Sequence, residues 1–102
     1  MKRYSIGRDE SNDIVLSDPS VSRQHAEIVD TGAGTYKLVD SGSSNGTWTM
    51  SDDGWKRVTT AELDADALVR IGDHFTSITA LLTAAGAPPP RKPLDEETKP
   101  GR

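Results

Sequence analysis

The sequence predicts an all-β fold, an antiparallel β-sandwich built from short strands. Two observations carry this expectation. Runs rich in Val, Ile, Thr, Tyr and Trp recur along the chain at a spacing of about 8–12 residues, the rhythm of sandwiches and barrels. Between them stand clusters of Gly, Asn, Asp and Ser, which supply unusual backbone angles or hydrogen-bond their own main chain in turns.

The elements follow in order. Residues 3–6 read as the first strand, leading into Gly7 and Arg8, and residues 9–13 as a turn. Residues 14–16 form a second short strand before the turn at residues 17–20. Residues 26–29 and 36–39 are strands joined by Thr31-Gly32-Ala33-Gly34, a hairpin loop in which glycine supplies positive φ. Residues 41–46 turn into a strand at 47–50. A further turn at 51–54 leads to a strand at 55–58. Residues 60–67 have the makings of a helical turn and are read as a connection. Strands at 68–71 and 75–80 complete the set, and residues 84–87 close the domain. Pro88, Pro89 and Pro90 then fix an extended backbone without donors. Residues 91–102 are charged and lack apolar periodicity, so they read as a linker or tail to something larger. The predicted organisation is a domain over residues 1–86 and a Pro-rich charged tail over residues 87–102.

Composition bounds the function. The chain has 102 residues, of which 33% are hydrophobic, enough for one small domain. Its net charge is −4, which gives no general attraction to nucleic acid or to an anionic membrane. Any anion site must therefore be local. With no cysteine there is neither a disulfide framework nor a thiolate zinc site. No apolar run approaches the roughly 20 residues that span a bilayer. The first residues lack the apolar stretch of a signal peptide. The expected location is cytoplasmic.

Chemistry concentrates in three runs where a strand meets a turn: Ile6-Gly7-Arg8, Ser22-Arg23-Gln24-His25-Ala26 and Ser43-Ser44-Asn45-Gly46-Thr47. Arg8 offers a permanent cation with paired N–H groups. Ser22 and Ser44 offer hydroxyl donors, and Asn45 an amide that donates and accepts. Gly7 lets the chain turn so that Arg8 leaves the end of its strand. Each run also has a plainer reading. Arg8 and Arg23 can be solvated loop residues, Ser22 a turn serine, and Asn45-Gly46 an ordinary hairpin turn. Taken together, the set suits a phosphate group, with its two charges and three acceptor oxygens.

In order and spacing these runs resemble the forkhead-associated (FHA) domain. The strings Ser17-Asp18-Pro19-Ser20-Val21-Ser22-Arg23-Gln24-His25-Ala26-Glu27-Ile28 and Leu38-Val39-Asp40-Ser41-Gly42-Ser43-Ser44-Asn45-Gly46-Thr47 are similar to the middle of that family. The likeness continues at residues 68–73. It implies recognition of phosphothreonine peptides on a partner phosphorylated by a Ser/Thr kinase, with no catalysis, cofactor or metal. It further implies that Arg8 and Ser22 bind the phosphate directly and that Ser44 joins them. Arg23 is the next contact, through its backbone or side chain. Asn45 would grip the ligand's main chain, while Gly7, His25 and Gly46 support the loops. The family's usual first strand and hairpin partner have no counterpart in the six residues before Gly7, so a sheet edge with unpaired backbone groups is expected.

Two rivals stand beside this reading. One is an interaction or scaffold domain of the same fold that binds without phosphate. The other is a hydrolase using Ser22 and His25, although no nucleophile elbow accompanies them. Asp9, Glu10, Asp13 and Asp18 read as loop acids, since their order lacks the EF-hand glycine and terminal glutamate. Trp48 and Trp55 are expected to pack on the sheet, and His74 to lie at the surface. Thr98 follows two glutamates in the tail and is a candidate self-ligand once phosphorylated.

Overall fold

A computed structural model describes residues 2–87. The strands are β1 (Lys2–Gly7), β2 (Ile14–Val15), β3 (Ala26–Asp30), β4 (Tyr36–Asp40), β5 (Thr47–Ser51), β6 (Gly54–Val58), β7 (Thr60–Leu63), β8 (Leu68–Ile71) and β9 (His74–Ser77). One helix, α1 (Ile78–Ala84), follows them. The strands form two sheets, in the orders β2-β1-β3-β4-β7 and β6-β5-β8-β9. Only β1 and β2 run parallel; the other pairs are antiparallel. The predicted all-β sandwich is the architecture found.

Alternation along each strand sends one set of side chains inward. Ile6, Ile14, Ile28 and Leu38 from the first sheet meet Val69 and Ile71 from the second in one core, with Val21 joining from the connection between β2 and β3. Each fully buried Ile or Leu contributes about 1.5–3 kcal/mol relative to exposure. The core draws the strands into register, and the register brings the β1–β2, β2–β3, β4–β5 and β8–β9 connections to one end. Hydrogen bonds tie those connections together. Arg8 N donates to Ser22 O, Ser41 N to His25 O, and Gly72 N to Gly46 O. Asp73 N donates to the Ser20 hydroxyl.

Two sequence expectations are corrected. Residues 60–63 are not part of a connection but the strand β7, paired from Thr60 opposite Val39 to Leu63 opposite Tyr36. Ala61 and Glu62 have little intrinsic strand preference, and the pairing with β4 decides their conformation. The last strand also stops at Ser77 rather than running through residue 80. Ser77 is extended (φ −140°) and its side chain accepts from Ala80 N, a helix N-cap. Ile78, Leu81 and Leu82 then fall on one buried face, at the spacing of a helix rather than a strand. α1 packs against both β2 and β9, closing the core between the two sheets. Of the predicted tail only Ala87 is described; Thr98 and the three prolines lie outside the described residues. Among the described residues β1 lies between β2 and β3, and the outer strands of the two sheets are β2, β7, β6 and β9.

Candidate functional site

The first loop is shaped by a close backbone crossing. A Cβ at Gly7 would overlap the Arg23 carbonyl oxygen and crowd the Asn12 amide. Glycine is needed here for that approach, not for the tight turn expected from sequence, since its φ is not positive. Asn12 fills the corner, with Nδ2 donating to Asp9 O and Arg23 O at 2.8 Å each. Arg8 emerges from this crossing. Its Nε donates to Val21 O at 2.9 Å, which steers the guanidinium along the second loop. Its two terminal nitrogens hold no hydrogen bond among the described residues, and the side chain is exposed.

His25 holds the second and third loops together. The residue is fully buried. Its Nδ1 accepts from Ser22 N at 3.0 Å, so the ring's proton sits on Nε2, which reaches Gly46 O at 2.8 Å. A doubly protonated ring has no acceptor and would lose the first contact. The main chain of His25 adds two bonds, from its N to Ile6 O and from Ser41 N to its carbonyl.

The third loop rests on Asp40, which sequence reasoning passed over. Its carboxylate accepts from Gly42 N at 2.8 Å, Ser43 N at 3.0 Å, Ser43 Oγ at 2.6 Å and Thr47 Oγ1 at 2.7 Å. Partial burial pushes its pKa up, but these four donors outweigh burial and hold it below the usual carboxylate value. Gly46 closes the loop at φ +88°, where a Cβ would meet Arg57 Nε at 2.6 Å. Positive φ belongs to Gly46 and not to Asn45.

Ser22 Oγ accepts from Ser44 N at 3.2 Å, so the two hydroxyl-bearing residues are neighbours across the loops. Both can still turn a hydroxyl proton outward. Asn45 Nδ2 donates to Ser20 O at 2.8 Å; its amide oxygen and second N–H remain open among the described residues. Ser20 is a second residue that sequence missed. It joins Asp18, Asp73 and Asn45 in one network. Its signal lies only in contacts distant along the chain. Arg23 is exposed, and its carbonyl is the part the fold uses. Arg8, Ser22, Ser44 and Asn45 thus lie on adjoining loops; Arg23 follows Ser22 in the second loop, its side chain exposed and without a hydrogen bond among the described residues.

Three of the four flanking acids have structural partners. Asp9 accepts from Ser11 N, Asp13 from Ser5 N, and Asp18 from Ser20 N. Among the described residues no group of three or more His, Cys, Asp or Glu side chains is placed to hold a metal ion. His74 is partly exposed, with Nδ1 4.0 Å from Asp18 Oδ2.

The model of the FHA domain family matches residues 4–72. The chain is 45% identical over 69 residues to the transcriptional regulatory protein EmbR of Mycobacterium tuberculosis, a match covering 68% of this chain and 17% of EmbR. It therefore corresponds to under a fifth of that relative's length. Among solved structures it is similar to the FHA domain of CT664 from Chlamydia trachomatis, with TM-score 0.65, 37% identity, and coverage of 72% of this chain and 71% of that one. It is also similar to M. tuberculosis EmbR in complex with a low-affinity phosphopeptide, with TM-score 0.64, 39% identity, and coverage of 74% and 19%. The chain belongs to the FHA domain family.

Proposed function

We propose that this domain binds a phosphothreonine segment of a partner protein that a Ser/Thr kinase has modified, and that it does so without catalysis. One observation carries the proposal. A guanidinium steered by its Nε, with both terminal nitrogens uncommitted, lies on the loop hydrogen-bonded to the one bearing Ser22, whose hydroxyl meets Ser44. Arg8 can present two parallel N–H groups to phosphate oxygens. Ser22 and Ser44 donate their hydroxyls to others, with Arg23 as a further cation at the rim. Asn45 uses its open amide oxygen and N–H on the ligand's main chain. His25 and Asp40 hold the loops before the ligand arrives, which lowers the ordering cost of binding. The EmbR structure with a phosphopeptide supports the reading by similarity.

The contact between Ser22 and His25 has the wrong form for hydrolysis. The ring meets the Ser22 main-chain N–H and not its hydroxyl, so it is not set to take the proton of a nucleophile. The test is calorimetry with the best peptide from a phosphothreonine-oriented library, with and without its phosphate. Two or more charge-assisted bonds at about 1.5–3 kcal/mol each imply a loss of about a hundredfold or more on dephosphorylation. Equal affinity for both forms would favour the phosphate-independent scaffold instead.

A further inference from the structure

We propose that the outer face of the second sheet extends the peptide site and takes an acidic, apolar segment of the same phosphorylated partner. The proposal rests on the phosphothreonine reading above. On β5 the inward residues are Thr47 and Thr49, both buried, so Trp48 and Met50 face outward. Register places Arg57 and Arg70 on either side of Trp48, and Phe75 beyond Arg70. Trp55 pairs with Met50, and Leu68 with Ser77. The four large hydrophobic side chains exposed among the described residues are Val15, Met50 (46%), Leu68 (54%) and Phe75 (63%). All but Val15 are on this face. Such clustering marks an interaction surface rather than scattered surface residues.

The face is ordered before any partner binds. The Arg70 guanidinium sits 4.4 Å from the Trp48 ring centre and 5.7 Å from those of Trp55 and Phe75. Trp55 and Phe75 meet edge to face at 5.5 Å. It is also continuous with the candidate site. Trp48 Nε1 donates to Asn45 O at 3.0 Å, and Arg57 Nη2 reaches Ser43 O at 3.4 Å.

Charge selects the occupant. The outward positions of these four strands carry two arginines and no carboxylate, in a chain of net charge −4. A second copy placed face to face would set Arg57 and Arg70 against their own kind, which is costly. A segment bearing Asp or Glu among apolar side chains matches both the cations and the rings. Trp48 and Met50 lie three and five residues beyond Asn45 along the chain, roughly 10–17 Å of strand, or about three to five extended ligand residues. The matching positions should therefore centre about four residues from the phosphothreonine.

The experiment selects from a peptide library with a fixed phosphothreonine and ten degenerate positions on each side. Acidic and apolar residues should be enriched around about the fourth position on one side. A peptide so selected should bind about tenfold more tightly than its version cut to three flanking residues. In the double variant Leu68→Ser, Phe75→Ser that gain should vanish, and in Arg70→Gln the acidic preference should vanish. Phosphate dependence should persist in both. Phosphate dependence without distal enrichment, or an equal gain in wild type and variants, overturns the proposal and leaves the phosphothreonine site standing. Loss of phosphate dependence in the wild type overturns the site reading itself. Altered Trp48 and Trp55 emission on deleting residues 88–102 would assign the face to the chain's own tail, against the proposal.

Discussion

Replacing Arg8 with alanine removes the cation on which phosphate binding is argued to depend. The structure sets the scale. Nε is committed to Val21 O at 2.9 Å, so two terminal nitrogens remain for a ligand. Truncating one member of a charge-assisted contact costs about 2–5 kcal/mol. Arg8 is exposed in the free protein, and screening by solvent favours the lower end. About 2 kcal/mol is close to a thirtyfold loss of affinity. The fold should lose only the bond to Val21 O, about 1 kcal/mol, because the side chain lies outside the core. Arg8→Lys should recover part of the binding, since it restores charge without the planar fork. Calorimetry on a phosphothreonine peptide measures affinity, and urea denaturation measures stability. Affinity within about threefold of wild type in Arg8→Ala would refute the reasoning, provided that the variant is folded.

His25→Ala should be more damaging to the fold. It empties a fully buried site, leaves Ser22 N without its partner and removes one of two donors to Gly46 O, which keeps Gly72 N; an unsatisfied N–H costs about 1–3 kcal/mol beyond the cavity, so urea midpoints should fall and peptide binding with them. Asp40 predicts an acid limit to stability. Its folded pKa lies below its ordinary value, so its contribution is complete above the unfolded carboxylate value of about 3.9 and is lost as pH falls through the lower, folded one. Thermal melts should show the loss below about pH 4, with a shallower acid limb in Asp40→Asn. Phosphothreonine should bind more tightly than phosphoserine in matched peptides, by about fourfold for one buried methyl; equal affinities would mean that residues 41–47 form no pocket for it.

Much of this was legible in the sequence because it depends on local chemistry. Hydrophobic runs and turn residues placed most strands, and Thr31-Gly32-Ala33-Gly34 marked the hairpin between β3 and β4. Arg8, Ser22, His25, Asn45 and Gly46 announced themselves by type, order and spacing. What was not legible depends on contacts distant along the chain. Thr60–Leu63 is a strand because β4 offers it partners, not because Ala61 and Glu62 prefer to extend. Ile78, Thr79 and Thr83 are β-branched and resemble a continuing strand, yet the Ser77 cap and the buried stripe make a helix. Asp40, Asn12 and Ser20 are ordinary polar residues in a sequence. Only the fold shows the first gathering four donors, the second filling the corner beside Gly7, and the third joining two loops. Gly7 itself was noticed for a turn, while its use is the close passage of the Arg23 carbonyl.

The most direct test follows the backbone amides of the domain by NMR during titration with a phosphothreonine peptide and, separately, with the same peptide lacking phosphate. The account predicts that Arg8, Ser22, Ser44 and Asn45 shift together, with Gly46 behind them through His25, and only with the phosphorylated form. Shifts of the same size with the unphosphorylated peptide, or a phosphate-dependent set that leaves Arg8, Ser22 and Ser44 unmoved, would contradict it.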